Sequence, residues 1–197
     1  MKILSDATTP FGRKCVVCAM ERELEFEEVF VSIDDALEAA NPLRQIPALS
    51  TGDGQTLYDS DVVVTFLDES AAEDPLIPSD GRYEHLTRMA LANGMMESVL
   101  LRTMESRRPD GERSEGFIEK LDNRVLRAVA SLEEQVELLC TDKLFASDIA
   151  IVCALEYADF RFTDTWRAAA PRLSAWHAVL AERPSFIATR PTRSIPV

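Results

Sequence analysis

Histidine is scarce in this chain of 197 residues: only His85 and His177 occur, far apart. No HExxH pattern or Cys/His cluster with metal-ligand spacing accompanies them, so no metal site is expected. No run approaches the roughly 18 apolar residues of a membrane span, so no membrane partner is expected. The N-terminus, MKILSDATTPFGRK, has no apolar stretch ahead of a small-residue cleavage site. No secretory signal is read there, and the expected location is cytoplasmic. Thiols stay reduced in that compartment, so the four cysteines, Cys15, Cys18, Cys140 and Cys153, are expected to be free. Basic residues are few: 21 Lys and Arg face 34 Asp and Glu, for a net charge of −13. That balance repels phosphate backbones and no basic cluster offsets it, which excludes DNA or RNA as a partner. Internal repeats and low-complexity tracts are also lacking.

What is present divides in two. Residues 1–73 mix strand and helix signals. Ile3-Leu4 reads as a buried strand, Pro10 to about Leu24 as a helix, and Phe26 to Ser32 as an alternating strand. Asp34 to Ala40 gives a short helix. Ile46 to Ser50 and Thr56 to Tyr58 flank the two glycines of Thr51-Gly52-Asp53-Gly54, a hairpin. Asp61 to Ser70 reads as a helix whose Val62, Val63, Phe66 and Leu67 share a face. The order is β-α-β-α-β-β-α. Residues 74–83, with Pro75, Pro78 and Gly81, read as a linker. From 84 to 197 every long segment has helical period. One stripe holds Leu86, Met89, Asn93, Met96, Leu100 and Met104; another holds Phe117, Leu121, Val125, Val129, Leu132 and Val136. Further helices are expected over Asp148–Phe162, Pro171–Glu182 and Pro184–Thr189. The fold class expected is α/β plus all-α.

The stretch TTPFGRKCVVC holds two rival chemistries, a Cys-x-x-Cys and a hydroxyl at a helix mouth. Thr9 suits an N-cap and Pro10 the first helical position. Cys15 then lies about 9 Å into the helix. Residues three apart on a helix have Cβ atoms roughly 5–6 Å apart, whereas a disulfide needs roughly 3.5–4.5 Å. A thiol in mid-helix also lacks the N-terminal field that lowers its pKa. Cys15 and Cys18 therefore read as small buried side chains, and a dithiol redox protein is the weakest of the functions considered. Thr9 can accept from helix N–H groups and still donate its hydrogen to an anion. Such a bond is worth roughly 1.5–3 kcal/mol, equivalent to about one to two pKa units on a bound thiol. By itself the motif also fits a threonine that only caps.

Further pieces stand in series: NPLRQIPAL, where Pro47 enters a strand after a loop and is a candidate cis proline; LYDSDVVVTFLDE; ASDIAIVCALEYADFRF; and LAERPSF. Together with TTPFGRK they resemble the glutathione transferase superfamily, in particular its small bacterial members with a hydroxyl-bearing residue before proline. The resemblance spans nearly the whole chain. It implies an N-terminal thioredoxin-like domain that binds glutathione and a C-terminal helical bundle that closes the site. It further implies a homodimer and a transferase that conjugates glutathione, as co-substrate, to a small electrophile or reduces it, a detoxification chemistry. Thr9 would stabilise the thiolate. Ile46, before Pro47, would pair its backbone with the cysteinyl unit. Ser60 and its helix N-terminus would hold the γ-glutamyl carboxylate, and Asp59 the γ-glutamyl amine. Phe11, Asn93 and Met96 are the residues assigned to the electrophile pocket, with Phe11 also at the glutathione site.

Three departures accompany the resemblance. Threonine replaces serine or cysteine at the sulfur position, and its methyl stiffens the rotamer. Arg44-Gln45 stand where relatives often carry Gly-Lys, so the partner of the glycyl carboxylate is divided between them. Phe145 stands where Ser or Thr usually caps the helix near Asp148, with Ser147 as a partial substitute. His177 is expected at the surface or partly packed. A binding or regulatory protein without catalysis is the alternative function.

Overall fold

The computed structural model describes residues 1–31, 35–72, 74–139, 142–161 and 165–191. A four-stranded mixed sheet, β1 (Lys2–Ser5), β2 (Glu27–Phe30), β3 (Ala48–Ser50) and β4 (Thr56–Tyr58), is ordered β2-β1-β3-β4. Strand β1 is parallel to β2 and antiparallel to β3, and β3 is antiparallel to β4. Helices α1 (Pro10–Glu21), α2 (Asp35–Ala40) and α3 (Ser60–Glu69) complete the N-terminal, thioredoxin-like domain. A helical C-terminal domain follows: α4 (Arg82–Ser106), α5 (Glu115–Glu134), α6 (Ala146–Arg161), α7 (Trp166–Ala169), α8 (Pro171–Leu180) and α9 (Pro184–Ala188). The sequence pattern anticipates this order apart from the single turn of α7, too short to carry a period. Asp34, expected in the second helix, and Ser32, expected in the second strand, lie outside the described residues.

Helix α1 is the pillar between the two domains. It packs on α3 on one side and on α6 on another. Nine of its twelve residues are buried, including Cys15, Val17, Cys18 and Ala19, which belong to the common apolar core with Ile3, Leu49, Val63 and Ile149. Cys15 and Cys18 are free and buried. Burial pushes the Cys15 thiol up to about 12 and Cys153 up to about 11, and it raises Cys18 as well. Thiols so held carry little thiolate at neutral pH, which disfavours a nucleophilic role for either cysteine of the pair.

Tertiary packing rotates two expected faces. In α3, Val63, Val64 and Leu67 face the core while Val62 is exposed and Phe66 is only half-buried. In α4, Met89, Ala92, Met95, Met96 and Val99 are buried, whereas Leu100 and Met104 are exposed. A strict stripe drifts around a helix of 25 residues, so its far end leaves the neighbour it started on. His177 is also corrected: it is buried on α8, its ring nitrogen 3.3 Å from Glu156.

The N-terminus of α6 solves the missing cap differently from the expectation. The Phe145 amide donates to Asp148 Oδ2 at 2.9 Å, which is the half of a capping box that needs no hydroxyl. Ser147 pairs instead with His85 of α4 at 3.0 Å, and the Phe145 ring lies 4.3 Å from the His85 ring. Burial drives the Asp148 carboxyl up to about 7, against the opposing pull of the Phe145 amide and the Arg88 charge. A carboxyl whose folded pKa exceeds its unfolded value of 3.8 binds its proton more tightly in the native state. Its contribution is therefore greatest at low pH and declines as pH rises from about 4 to about 7, with a slope of at most about 1.4 kcal/mol per pH unit. Asp148→Asn, which keeps an acceptor for Phe145, is expected to flatten that segment of the stability curve. Urea unfolding of both proteins across this range measures it, and parallel curves would reject the assignment.

Candidate functional site

Strand register places three chain segments at one end of the sheet. Leu4 lies opposite Ala48, and Ala48 opposite Tyr58. The exit of β1 toward Thr9, the entry to β3 from Ile46-Pro47, and the exit of β4 into Asp59-Ser60 therefore meet at the same edge. The Ile46–Pro47 bond is cis, as the proline's position predicts. Phe30 closes β2 at this end too, on the opposite flank of β1, since Ser5 pairs with Phe30.

Thr9 is the N-cap of α1, with extended backbone and its Oγ1 accepting from the Gly12 amide at 3.5 Å. Among the described residues no acceptor takes the Thr9 hydroxyl proton. Gly12 makes this turn possible: a Cβ there would fall 2.1 Å from Ser5 Oγ and 2.7 Å from the Thr9 methyl. Asp59 has φ 71°, uncommon for a residue with a side chain, and caps α3 by accepting from the Asp61 amide at 2.8 Å and the Val62 amide at 3.4 Å. Ser60 opens α3 and is buried. Two helix N-termini, with their positive dipole ends, thus face the same edge.

The loop from 41 to 45 is held by buried Asn41, whose amide donates to the Gln45 carbonyl at 2.7 Å and whose Oδ1 accepts from the Leu43 amide at 3.0 Å. Gln45 is exposed. Arg44, at φ 53°, pairs with Glu38 of α2 at 3.3 Å. Phe11 is half-buried against the core. A cavity of about 210 Å³ adjoins Thr9 on the β2 side of β1, walled by Asp6, Phe30, Tyr157, Thr189 and Arg190 among others. Phe11, Asn93 and Met96 do not line it. Met96 is wholly buried in the core, and Asn93 is committed to a polar lock described next. Beyond the β1–α1 loop and the start of α1, the residues that wall the cavity come from β2, α6, the end of α9 and the segment after it, which no local motif connects.

The lock joins α1, α3 and α4. Lys14 is fully buried, with its Nζ 2.5 Å from Asp61 Oδ1 and 2.9 Å from Asn93 Oδ1. The Asn93 amide donates to Asp61 Oδ2 at 2.7 Å. Burial raises the Asp61 carboxyl, and the Lys14 charge and the Lys14 and Asn93 hydrogen bonds outweigh it, so its pKa is lowered. Asp61 follows Ser60, so the lock fixes the mouth of α3 against both domains. The partners are unequal: the Asp61 side chain is 42% exposed and the Lys14 side chain not at all. Removing Asp61 strands a buried ammonium, which costs about 3–5 kcal/mol, whereas Lys14→Met leaves a carboxylate that reaches water. Asp61→Ala is therefore expected to be the more destabilising of the two in urea unfolding; the reverse order would contradict this burial argument.

Comparison with known proteins bears on what such an edge holds. Residues 8–70 match the glutathione S-transferase N-terminal domain family, and residues 115–178 the glutathione S-transferase C-terminal domain family. Over 98% of its length the chain is 29% identical to the whole of an uncharacterized GST-like protein, YibF, of Escherichia coli K12. A glutathione transferase family member from Pseudomonas fluorescens Pf-5, crystallised with bound glutathione, is 35% identical with a TM-score of 0.90, over 97% of this chain and 98% of that one. A structure from the same source with bound S-(propanoic acid)-glutathione is 33% identical with a TM-score of 0.88, over 98% of this chain and 100% of that one. With both domain families matched in order on a thioredoxin-like sheet and a helical bundle, the chain belongs to the glutathione S-transferase family.

Proposed function

We propose that this chain binds glutathione along the edge formed by Thr9, Ile46-Pro47 and Asp59-Ser60, and that Thr9 stabilises its thiolate for attack on a small electrophile. The observation that carries the reading is the Thr9 hydroxyl at the N-cap of α1, its proton uncommitted among the described residues, on the same sheet edge as a cis-proline strand entry and a second helix mouth. The bound glutathione of the Pseudomonas protein supports the ligand. Its S-(propanoic acid) adduct, in which the sulfur carries a carbon substituent, supports the reaction class.

The peptide's cysteinyl backbone pairs with Ile46, its γ-glutamyl carboxylate lies at Ser60, and its γ-glutamyl amine meets Asp59. Gln45 donates to the glycyl carboxylate, with Arg44 as the nearby charge. The thiol proton leaves to solvent as the site binds glutathione. The thiolate sulfur then forms a bond to the electrophilic carbon, displacing a leaving group with its electron pair or generating a carbanion that takes a proton. The cavity beside Thr9 is the place for that electrophile. It lies on the β2 side of Thr9, with the peptide on the β3 side, so the hydroxyl stands between the two reactants. Catalysis here is mainly a lowered thiol pKa and proximity.

Thr9→Ala is expected to raise the pKa of bound glutathione by about one to two units. The thiolate absorbance of the protein–glutathione mixture at neutral pH then falls, while calorimetry still records binding. A thiolate signal that survives the substitution would reject the role of Thr9. The engagement of Arg44 by Glu38 favours a second reading, a glutathione-family binding or regulatory protein without catalysis. Calorimetry without measurable binding at millimolar glutathione selects it. A homodimer is part of the proposal, with exposed Val62 of α3 and Tyr83, Leu100 and Met104 of α4 as candidate contacts. Sedimentation at micromolar protein is expected to give twice the chain mass, and a monomer would remove this part.

A further inference from the structure

Two hydroxyls stand side by side ahead of Pro10, and the chemistry proposed above needs one of them. Their surroundings differ in one respect. Asp6 Oδ1 accepts from the Thr8 amide at 2.6 Å, from the Thr8 hydroxyl at 3.0 Å and from the Thr9 amide at 2.7 Å. The Thr8 proton is thereby committed. The Thr9 hydroxyl receives the Gly12 amide and, among the described residues, gives its proton to no acceptor.

We propose that Asp6 is a positioning residue that selects Thr9 over Thr8 as the partner of the glutathione sulfur. This rests on the reading of Thr9 given above and adds how the loop enforces it. One carboxylate oxygen gathers three donors and ties the backbone at Thr8 and Thr9 to it. Pro10 fixes the next φ. Gly12, where the space for a Cβ is already filled by Ser5 Oγ and the Thr9 methyl, leaves that methyl its room while the Gly12 amide donates to Thr9 Oγ1. Without the Asp6 acceptor, the Thr8 amide, the Thr9 amide and the Thr8 hydroxyl are all released, and two hydroxyls compete for one thiol.

The arrangement also carries a cost. Asp6 and Thr9 wall the same cavity, so a carboxylate sits near the place where a thiolate forms, and like charges disfavour ionisation. The selection role and the charge therefore act in opposite directions, which separates them experimentally. Asp6→Ala removes both the acceptor and the charge, whereas Asp6→Asn removes the charge and keeps an oxygen for the same three donors.

The test is ultraviolet titration of the thiolate of glutathione bound to the full chain, with glutathione affinity followed separately by calorimetry and folding by thermal melts. Thr8→Ala is expected to leave the titration midpoint unchanged. Asp6→Ala is expected to lower the thiolate fraction at neutral pH about three- to tenfold, toward the level of Thr9→Ala. Asp6→Asn is expected to restore the wild-type fraction or exceed it. An Asp6→Ala protein that melts lower but titrates like wild type would show Asp6 to be structural only and overturn the proposal while leaving Thr9 in place. A midpoint moved by Thr8→Ala, or an Asp6→Asn protein as impaired as Asp6→Ala, would overturn it as well. If glutathione binds the wild-type protein without a thiolate signal, the Thr9 reading falls and takes this one with it.

Discussion

Two consecutive cations, Arg13 and Lys14, are buried on the first turns of α1, and the rest of the structure is arranged to satisfy them. They point to different elements. Lys14 reaches Asp61 of α3 and Asn93 of α4. Arg13 forms an ion pair with Glu156 of α6 at 2.6 Å and donates to the Phe186 carbonyl and the Thr189 hydroxyl at 3.1 Å each. Burial raises the Glu156 carboxyl, and His177 and Arg13 outweigh it, so it is held below its ordinary pKa. A charge withdrawn from water without a partner costs several kcal/mol. These contacts therefore hold α1 in one rotation about its axis, and with it the direction in which Thr9 caps.

That constraint bears on how a chain with a net charge of −13 would hold the anion proposed for this edge. Three cations of the N-terminal domain already have acidic partners. Arg13 and Lys14 face acidic partners, and Arg44 pairs with Glu38. Two helix mouths, α1 at Thr9 and α3 at Ser60, add positive partial charge at the edge. Partial charges on backbone amides are fixed by the helix and need no long flexible side chain to be ordered, so they favour an anion without an added cation.

Several parts of the site were legible in short stretches. Thr9-Pro10 marks a helix start, Gln45-Ile46-Pro47 a strand entry, and Thr51 to Gly54 a hairpin, because caps, prolines and turn residues act on their own backbone. Asp6 had a signal as well: an aspartate two and three residues ahead of amides in a loop is the pattern of an Asx turn. The features that were not legible act across the chain. Asn93 occupies an apolar stripe and looks like a pocket residue until Lys14 and Asp61 are seen beside it. Met96 looks like an available side chain until the common core buries it. His177 looks solvated until Glu156, 21 residues earlier in the numbering, is brought to 3.3 Å.

The sequence by itself determined the α/β-then-helical order, the capping threonine, the strand-entry proline and the inert placement of Cys15 and Cys18, since each follows from local periodicity or from backbone geometry within a few residues. The tertiary structure alone decided which side of α3 and α4 is buried, which cations are consumed and where the cavity beside Thr9 lies. Those outcomes depend on the burial of charge and apolar surface between segments as far apart as Arg13 and Thr189, and no window along the chain contains both partners.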